Sequence, residues 1–325
     1  MRLVPWIWII GLGLIALGIA LWARRRRRKR KAARARTRAE FEVLVGMTSS
    51  EERNFVRNYA ARDFTGEGAI VDLGCWMGSF TLPLATGLRE NRRTKMRKGC
   101  LHSYDIFKWE NWMNPSVAGT RWAGRYKEGD DFSDAFAEQI APVADLVVIH
   151  VGDLNKETWE PSASIEYLLI DAMKSFELAN SVVRNFFPAL RPNLSRVHHH
   201  DFVHYYAPWI HLIMHRFRQY FEPLSYVPDG SYIFAYRENI PRALLETNYN
   251  FCDFPPEEVA AAFEYALNLV PASARANIYA ARIMMHIHRE DWTGAGEELN
   301  RVRAAGIPLE KELIIVSKLF EEHEN

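Results

Sequence analysis

The stretch Ala69-Ile-Val-Asp-Leu-Gly-Cys-Trp-Met-Gly-Ser-Phe80 decides the fold of this chain. Its first five residues predict a short buried strand, and the two glycines predict a turn before a helix that starts near Ser79. Gly74 and Gly78 allow the backbone to approach a ligand closely, and Ser79 is suited to cap the helix whose N-terminal amides face that ligand. Asp72, at the end of the strand, is then expected beside the same crevice.

A second apolar run, residues 100–106, contains an acid at its end, Asp105. In doubly wound sheets, an acid at the tip of the second strand holds a ribose diol. The chain lacks the Gly-x-Gly-x-x-Gly pattern of a typical NAD site. A nucleotide-dependent oxidoreductase on a Rossmann-type sheet is therefore the weaker hypothesis.

Over residues 66–240 the chain resembles the class I S-adenosylmethionine-dependent methyltransferases. The resemblance implies an α/β, Rossmann-like sheet closed by an antiparallel hairpin. It also implies that the glycine turn (Asp72, Gly74, Gly78 and Ser79) contacts the methionine part of the cofactor. Asp105 would then bind the ribose, and Asp153, which follows the third strand, would bind the adenine amino group. The alternative for Asp153 is a simple turn residue, because Gly-Asp is common in turns.

Further strands are predicted over residues 145–151, 165–171 and 195–200. The segments 221–227 and 231–237 flank Pro228-Asp-Gly230, which is a hairpin signal. Alternating strands and helices that end in a hairpin match the sheet of the methyltransferase family. Residues 107–131 are rich in Trp and Gly and show no clear hydrophobic period. This composition is typical of a loop over the site or of an aromatic cluster on the domain's side.

Acids follow the fourth and fifth strands at Asp171 and Asp201. The Asp-x-x-Lys spacing of Asp171 and Lys174 resembles the catechol-type O-methyltransferases, and macrocin-type enzymes place acids similarly. This resemblance implies that Asp171 is a metal ligand and that Lys174 removes a proton from the accepting hydroxyl. The alternative for Lys174 is a solvated lysine in the first turn of a helix.

Where those families have Asp-Asn or Asp-Asp after the fifth strand, this chain has His200-Asp201. Asp171, His200 and Asp201 could still form an oxygen and nitrogen site for Mg²⁺ or Mn²⁺. If the register shifts by one residue, Phe202 takes a ligand position and the metal site is lost. His200 or His199 is an alternative general base, since an unperturbed histidine titrates near pH 6.5.

Six histidines lie between residues 198 and 215, which invites a zinc hypothesis. His211 and His215 are four residues apart on a predicted helix, but neither a cysteine nor a further acid accompanies them. We expect both to be surface or capping residues. The three cysteines, Cys75, Cys100 and Cys252, form no close pair, which fits a reducing compartment better than a disulfide framework or a zinc knuckle.

The N-terminus has an uncharged run over residues 4–23 that is long enough to span the hydrocarbon core of about 30 Å. The next 15 residues, 24–38, hold eleven Lys and Arg and no acid. This order predicts a single-pass anchor with the rest of the chain in the cytoplasm and the basic block on anionic lipid headgroups. An uncleaved signal-like segment is the alternative.

Without that block the chain has 30 basic and 40 acidic side chains, so the body is acidic and unsuited to general nucleic-acid binding. Beyond residue 240, helices are predicted near 256–269, 273–289, 292–304 and 309–323. They resemble a tetratricopeptide-type hairpin with fewer than two repeats, which would pack on the catalytic domain or bind a protein partner through residues 255–325.

The predicted organisation is an anchor (1–23), a basic juxtamembrane segment (24–39), a methyltransferase domain (40–240) and a helical extension (241–325). The predicted function is a membrane-anchored methyltransferase that uses S-adenosylmethionine to methylate an oxygen of a small polar or glycosidic acceptor. Mg²⁺ or Mn²⁺ is a further candidate cofactor. The alternative is an inactive methyltransferase-fold adaptor that acts through its C-terminal helices.

Overall fold

The computed structural model describes Arg24 and residues 44–93, 99–160 and 162–324. The predicted anchor (1–23) and most of the basic segment lie outside these residues. Within the described chain, no helix is both long enough and apolar enough to cross a bilayer. Residues 45–325 form one compact unit.

A seven-stranded sheet organises this unit. Its strands are β1 (Ala69–Leu73), β2 (Leu101–Asp105), β3 (Val147–Val151), β4 (Ile165–Ile170), β5 (Arg196–His199), β6 (Phe221–Val227) and β7 (Ser231–Tyr236). The order is β3-β2-β1-β4-β5-β7-β6, with the first five strands parallel and β7 antiparallel to both of its neighbours. The predicted Rossmann-like sheet and its closing hairpin are confirmed.

Ten helices accompany the sheet in the described chain. They are α1 (Ser50–Arg62), α2 (Thr81–Glu90), α3 (Ser133–Ile140), α4 (Phe176–Phe186), α5 (Pro208–Arg216), α6 (Arg242–Leu245), α7 (Pro256–Leu269), α8 (Arg275–His288), α9 (Trp292–Ala304) and α10 (Glu312–Glu324). Short 3₁₀ turns join several of them.

The sheet is covered on both faces because its central strands are apolar on both sides. Ile70 and Leu169 pack with α1, α2 and α3, whereas Val71 and Leu168 pack with α4 and α5. The second core also contains Phe263 of α7, so the first tail helices bury their apolar side in the same core as the sheet. Helices α8, α9 and α10 form a further apolar cluster.

The starts of three helices depend on their first residues. Helix α1 begins at Ser50, because Ser49 and Glu52 form a capping box there. The helix expected near Ser79 begins at Thr81, and no side chain caps it. Ser79 is buried against Gly46 instead. Helix α5 begins at Pro208, which is tolerated in the first turn of a helix.

Candidate cofactor and active site

Four carboxylates lie at one edge of the sheet because they follow parallel strands. Asp72 is the last but one residue of β1, and Asp105 is the last residue of β2. Asp171 and Asp201 follow β4 and β5. Burial raises the pKa of both Asp72 and Asp105, and the charge of Asp171 raises the two values further. The predicted strand-end acids of these four strands therefore belong to one electrostatic site.

The glycine turn between β1 and α2 lies against this edge. Gly74 has φ +79°, and a Cβ there would lie 2.5 Å from the carbonyl oxygen of Asp171. Gly78 has φ +86°, and a Cβ there would lie 2.9 Å from Ile140. Both glycines are therefore required by the protein's own packing, whatever they contact in a ligand.

Asp72 is fully buried and only partly satisfied. The Thr81 hydroxyl donates a hydrogen bond of 2.6 Å to its Oδ2 atom, whereas its Oδ1 atom has no hydrogen-bond partner within the described chain. Burial raises the pKa of Asp72 to about 7, against the opposing effect of the Thr81 hydrogen bond. An incompletely satisfied buried carboxylate is costly and calls for a functional explanation.

Asp105 holds the backbone of two loops. The amides of Trp76 and Phe107 each donate a hydrogen bond of 2.8 Å to its carboxylate. Asp105 thus fixes the glycine turn relative to β2. A carboxylate has about four acceptor positions, so two hydrogen bonds leave room for a diol.

The tryptophan-rich segment after β2 packs against the glycine turn. The ring centroid of Trp109 lies 6.4 Å from that of Trp76 and 5.1 Å from that of Tyr126. Trp109 and Trp122 are buried, whereas Trp112 is 55% exposed. These contacts support the aromatic cluster, and a loop over the site stays a prediction.

Asp153 lies in the turn after β3, at the outer edge of the sheet. Its carboxylate accepts a hydrogen bond of 3.0 Å from the Asn155 amide and lies 3.7 Å from the Lys156 ammonium. These local contacts are those of a turn residue. An adenine-binding role is compatible with them and stays a prediction.

Lys174 joins the acids that follow β4 and β5. Its ammonium donates a hydrogen bond of 3.0 Å to Asp171 and another to Asp201. Desolvation would lower the pKa of Lys174, but the two carboxylates outweigh it and raise the pKa above its usual value. Lys174 therefore stays protonated in this arrangement, so it is better suited to donate hydrogen bonds than to act as a base.

His200 is held on the other side of the same acids. Its Nε2 atom lies 3.8 Å from Asp171, and its Nδ1 atom lies 3.0 Å from Glu52. Burial would lower the pKa of His200, but the carboxylates of Asp171, Glu52 and Asp201 raise it to about 10. His200 is thus protonated at neutral pH, donates a hydrogen bond to Glu52 and forms a longer ion pair with Asp171.

Glu52 is a member of the site that the sequence analysis missed. It comes from α1, is buried, and also accepts a hydrogen bond from the Ser231 hydroxyl of β7. Burial would raise its pKa, but His200 and Ser231 lower it to about 2. Its contact with His200 joins residues that are 148 positions apart in the chain, so no local pattern points to it.

Asp171, His200 and Asp201 form a group that could hold a metal ion, since one ligand atom from each lies within 4.8 Å of the others. Two carboxylates and an imidazole suit a hard divalent cation. However, the Lys174 ammonium contacts both carboxylates, and a protonated imidazole has no lone pair to offer. As arranged here, lysine and histidine supply the positive charge that a metal would supply.

The remaining histidines do not assemble a metal site. His198 bonds the Tyr167 hydroxyl at 2.7 Å, and both nitrogens of His199 lack partners within the described chain. His211 and His215 were predicted at the surface, but both are buried. They pack against Phe263 and Tyr265 because α7 covers their helix.

His204 lies close in sequence to the charged cluster, and the sequence analysis gave it no catalytic role. It follows Asp201 by three residues and its side chain is exposed. Partial desolvation and the charges of Lys174 and His200 lower its pKa, against the opposing charge of Asp201. His204 is therefore neutral at pH 7 and can accept a proton.

No protein-family model matches the sequence, and no curated protein matches it. Several solved structures that the chain resembles are methyltransferases. They include the O-methyltransferase NovP (14% identity, TM-score 0.46, covering 60% of this chain and 83% of NovP). They also include CalS11, a TDP-rhamnose 3'-O-methyltransferase of calicheamicin biosynthesis (14% identity, TM-score 0.40, covering 57% of this chain and 78% of CalS11). Because these TM-scores are below 0.5, the function of this chain is inferred from the residues of its own site.

Proposed function

We propose that this protein is an S-adenosylmethionine-dependent methyltransferase that acts on an oxygen of a small polar or glycosidic acceptor. The observation that carries the proposal is the acidic edge of the sheet. Asp72, Asp105, Asp171, Asp201 and Glu52 supply five carboxyl groups there, and Lys174 and His200 supply two cations. An excess of buried carboxyl groups favours a ligand with positive charge, and S-adenosylmethionine has a sulfonium and an ammonium group.

The residues of the glycine turn and strand ends fit this cofactor. The Oδ1 atom of Asp72 is a buried acceptor without a partner in the described chain, which suits a cationic or N–H donor. Gly74, Gly78 and Ser79 would contact the methionine part, Asp105 the ribose and Asp153 the adenine. Bound cofactor would supply an electrophilic methyl group: the acceptor oxygen would provide the electrons of the new C–O bond, and the electrons of the broken C–S bond would stay on sulfur.

The chain's own residues would orient the acceptor and take its proton. Lys174 and His200 are held as cations by Asp171 and Asp201, so they position a hydroxyl by donating hydrogen bonds to its oxygen. The hydroxyl proton would pass to His204, which is neutral and exposed beside Asp201. Lys174 and His200 were the predicted bases, and we assign them the orienting role because their pKa values are raised.

A divalent metal is the second possibility for the same acids. Mg²⁺ or Mn²⁺ at Asp171, His200 and Asp201 would lower the pKa of the acceptor hydroxyl. Metal binding requires Lys174 to release both carboxylates. A Lys174→Met variant that binds Mn²⁺ more tightly than the parent protein, by electron paramagnetic resonance, would favour this alternative.

We also propose that residues 4–23 anchor the protein in a membrane, with residues 24–38 on its anionic cytoplasmic face. The support is the sequence alone: an uncharged span followed directly by a basic block. The full chain should stay in the membrane fraction after alkaline carbonate extraction. A chain without residues 1–39 should be released, and release of the full chain as well would contradict the anchor.

Calorimetric titration of the protein with S-adenosylmethionine and S-adenosylhomocysteine tests the proposal. We expect micromolar binding of both, and Asp105→Asn should weaken it. Asp145→Asn, at an exposed acid paired with Arg89, should bind like the parent protein. A folded protein that binds neither ligand would overturn the methyltransferase proposal and move the weight to an adaptor role for the C-terminal helices.

A further inference from the structure

A cavity of about 280 Å³ lies where the tail helices meet the β6–β7 hairpin. The sheet side supplies Val203, Tyr226 and Asp229. The tail supplies Asn277 near the start of α8 and Lys311 and Glu312 at the start of α10. The tail helices therefore build one wall of a concave site, in addition to covering the core.

This cavity adjoins the charged cluster of the active site. Val203 follows Asp201 by two residues, and the Tyr205 amide donates a hydrogen bond of 2.6 Å to Glu312. Burial and the charge of Asp201 raise the pKa of Glu312 to about 7, against the opposing Tyr205 bond. On the other side, the charge of Glu52 contributes to the raised pKa of Tyr226, after burial. Two walls of the cavity are thus within electrostatic reach of Asp201 and Glu52, the acids that pair with Lys174 and His200.

The polar groups of the lining are mixed in type. Glu312 and Asp229 are acceptors when ionised, and Lys311 is a donor that bonds the Ser273 carbonyl at 2.9 Å. Asn277 offers both kinds of group, and its buried Oδ1 atom has no partner among the described residues. Opposite charges and amide groups on the same small surface suit an uncharged ligand with several hydroxyls. The volume is near the lower limit for small-molecule sites, which fits a single sugar-sized ring.

We propose that this cavity binds the methyl acceptor, that the acceptor presents a neutral polyhydroxylated ring, and that Asn277 and Glu312 of the C-terminal helices determine its recognition. The proposal rests on the proposed methyltransferase function and assigns the tail a role in substrate specificity. It gives the helices beyond residue 255 a reason to be attached to the catalytic unit.

The test uses the full chain and six methyl glycosides: glucoside, mannoside, galactoside, xyloside, rhamnoside and fucoside. Binding is measured by saturation-transfer NMR without cofactor, and transfer by the label incorporated from methyl-labelled S-adenosylmethionine. We expect at least one glycoside to bind and to be methylated. Asn277→Ala should raise the KM for the glycoside about tenfold and Glu312→Gln about threefold, with kcat and cofactor affinity unchanged, because each variant removes recognition of a hydroxyl.

Glu310→Gln is the matched control, since Glu310 is an exposed acid two residues before Glu312 and outside the cavity lining. It should leave the KM unchanged. Binding of no glycoside, or the same KM in both cavity variants as in the parent protein, would overturn the proposal. Glycoside binding that the two variants weaken, in a protein that binds no S-adenosylmethionine, would instead support the cavity and overturn the methyltransferase function. Circular dichroism confirms that each variant is folded.

Discussion

Two buried carboxylates lie at opposite edges of the same sheet, and the protein satisfies them very differently. Glu166, near the amino end of β4, accepts hydrogen bonds from four consecutive backbone amides, residues 65–68, and from the Thr65 hydroxyl at 2.6–3.3 Å. Asp72, at the carboxyl end of β1, accepts one hydrogen bond, and its other oxygen has none within the described chain.

This difference distinguishes a carboxylate whose hydrogen bonds hold the fold from one whose hydrogen bonds are incomplete. Glu166 fixes the loop that leads into β1, so its hydrogen bonds are already complete. Asp72 gives up solvation without full compensation, which lowers stability unless a ligand completes its contacts. Buried polar groups with incomplete hydrogen bonds are expected at functional sites, and Asp72 is such a group at the carboxyl edge.

Removal of Glu166 should have the largest effect on stability. Glu166→Ala leaves four backbone amides at the amino edge without their acceptor, and we expect a loss of about 4 kcal/mol or more in the free energy of unfolding. Urea denaturation measures it. Glu67→Ala, which removes only an exposed pair with Arg191, should change stability by less than about 0.5 kcal/mol. Equal effects in the two variants would show that the hydrogen bonds of Glu166 do not hold the fold.

The pH dependence of stability should report Asp72. Its folded pKa of about 7 is above the ordinary value of 3.8, so its contribution to stability falls as pH rises from about 4 to about 7 and stays low above that. Asp72→Asn removes this loss, and the variant should be more stable than the parent by about 2 kcal/mol at pH 8 and show a flatter profile. Urea denaturation at pH 4 to 8 measures the slopes, and parallel profiles would contradict the assignment.

Loss of the Lys174 ammonium should reduce catalysis rather than cofactor binding. With an acceptor in hand, Lys174→Met should lower kcat about 100-fold because one charged donor to the acceptor oxygen is lost. Cofactor affinity, by calorimetry, should change less than about threefold. Lys156→Met is the control, since Lys156 is an exposed lysine beside Asp153. A loss of cofactor affinity that matches the loss of kcat would place Lys174 in the cofactor site instead.

The smallest effect is expected at Asp153. Asp153→Asn should weaken S-adenosylmethionine binding about fivefold, since a neutral amide still fits the turn but no longer accepts as a carboxylate. The free energy of unfolding should stay within about 0.5 kcal/mol of the parent value. Calorimetry at one pH decides the point. An unchanged affinity for S-adenosylmethionine would show that Asp153 is only a turn residue, as its local contacts indicate.

The fold could be predicted from the sequence because its signals are local. The apolar run of β1, the glycine turn and Pro228-Asp-Gly230 specify strands and turns within a few residues. Helix α9, Trp292–Ala304, begins and ends as predicted. Parallel topology then places Asp72, Asp105, Asp171 and Asp201 at one edge.

The pairing of side chains within the site could not be predicted in this way. The Glu52–His200 contact joins α1 to the end of β5, and the Tyr205–Glu312 contact joins the β5 end to the tail. Such contacts have no sequence period. The hydrogen bonds of Lys174 to two acids, and the direction of its pKa shift, likewise depend on distances that only the folded chain sets.

Ultraviolet crosslinking of methyl-labelled S-adenosylmethionine, followed by peptide mapping, tests most directly whether the carboxyl edge is the cofactor site. We expect label in peptides that contain residues 72–80 or 105–109, and we expect S-adenosylhomocysteine to compete with this labelling. A cavity of about 210 Å³ at the amino edge, beside Glu166 and Arg196, provides the internal comparison. Competed label at residues 59–66 or 193–196, and none at the carboxyl edge, would place the cofactor at the amino edge instead.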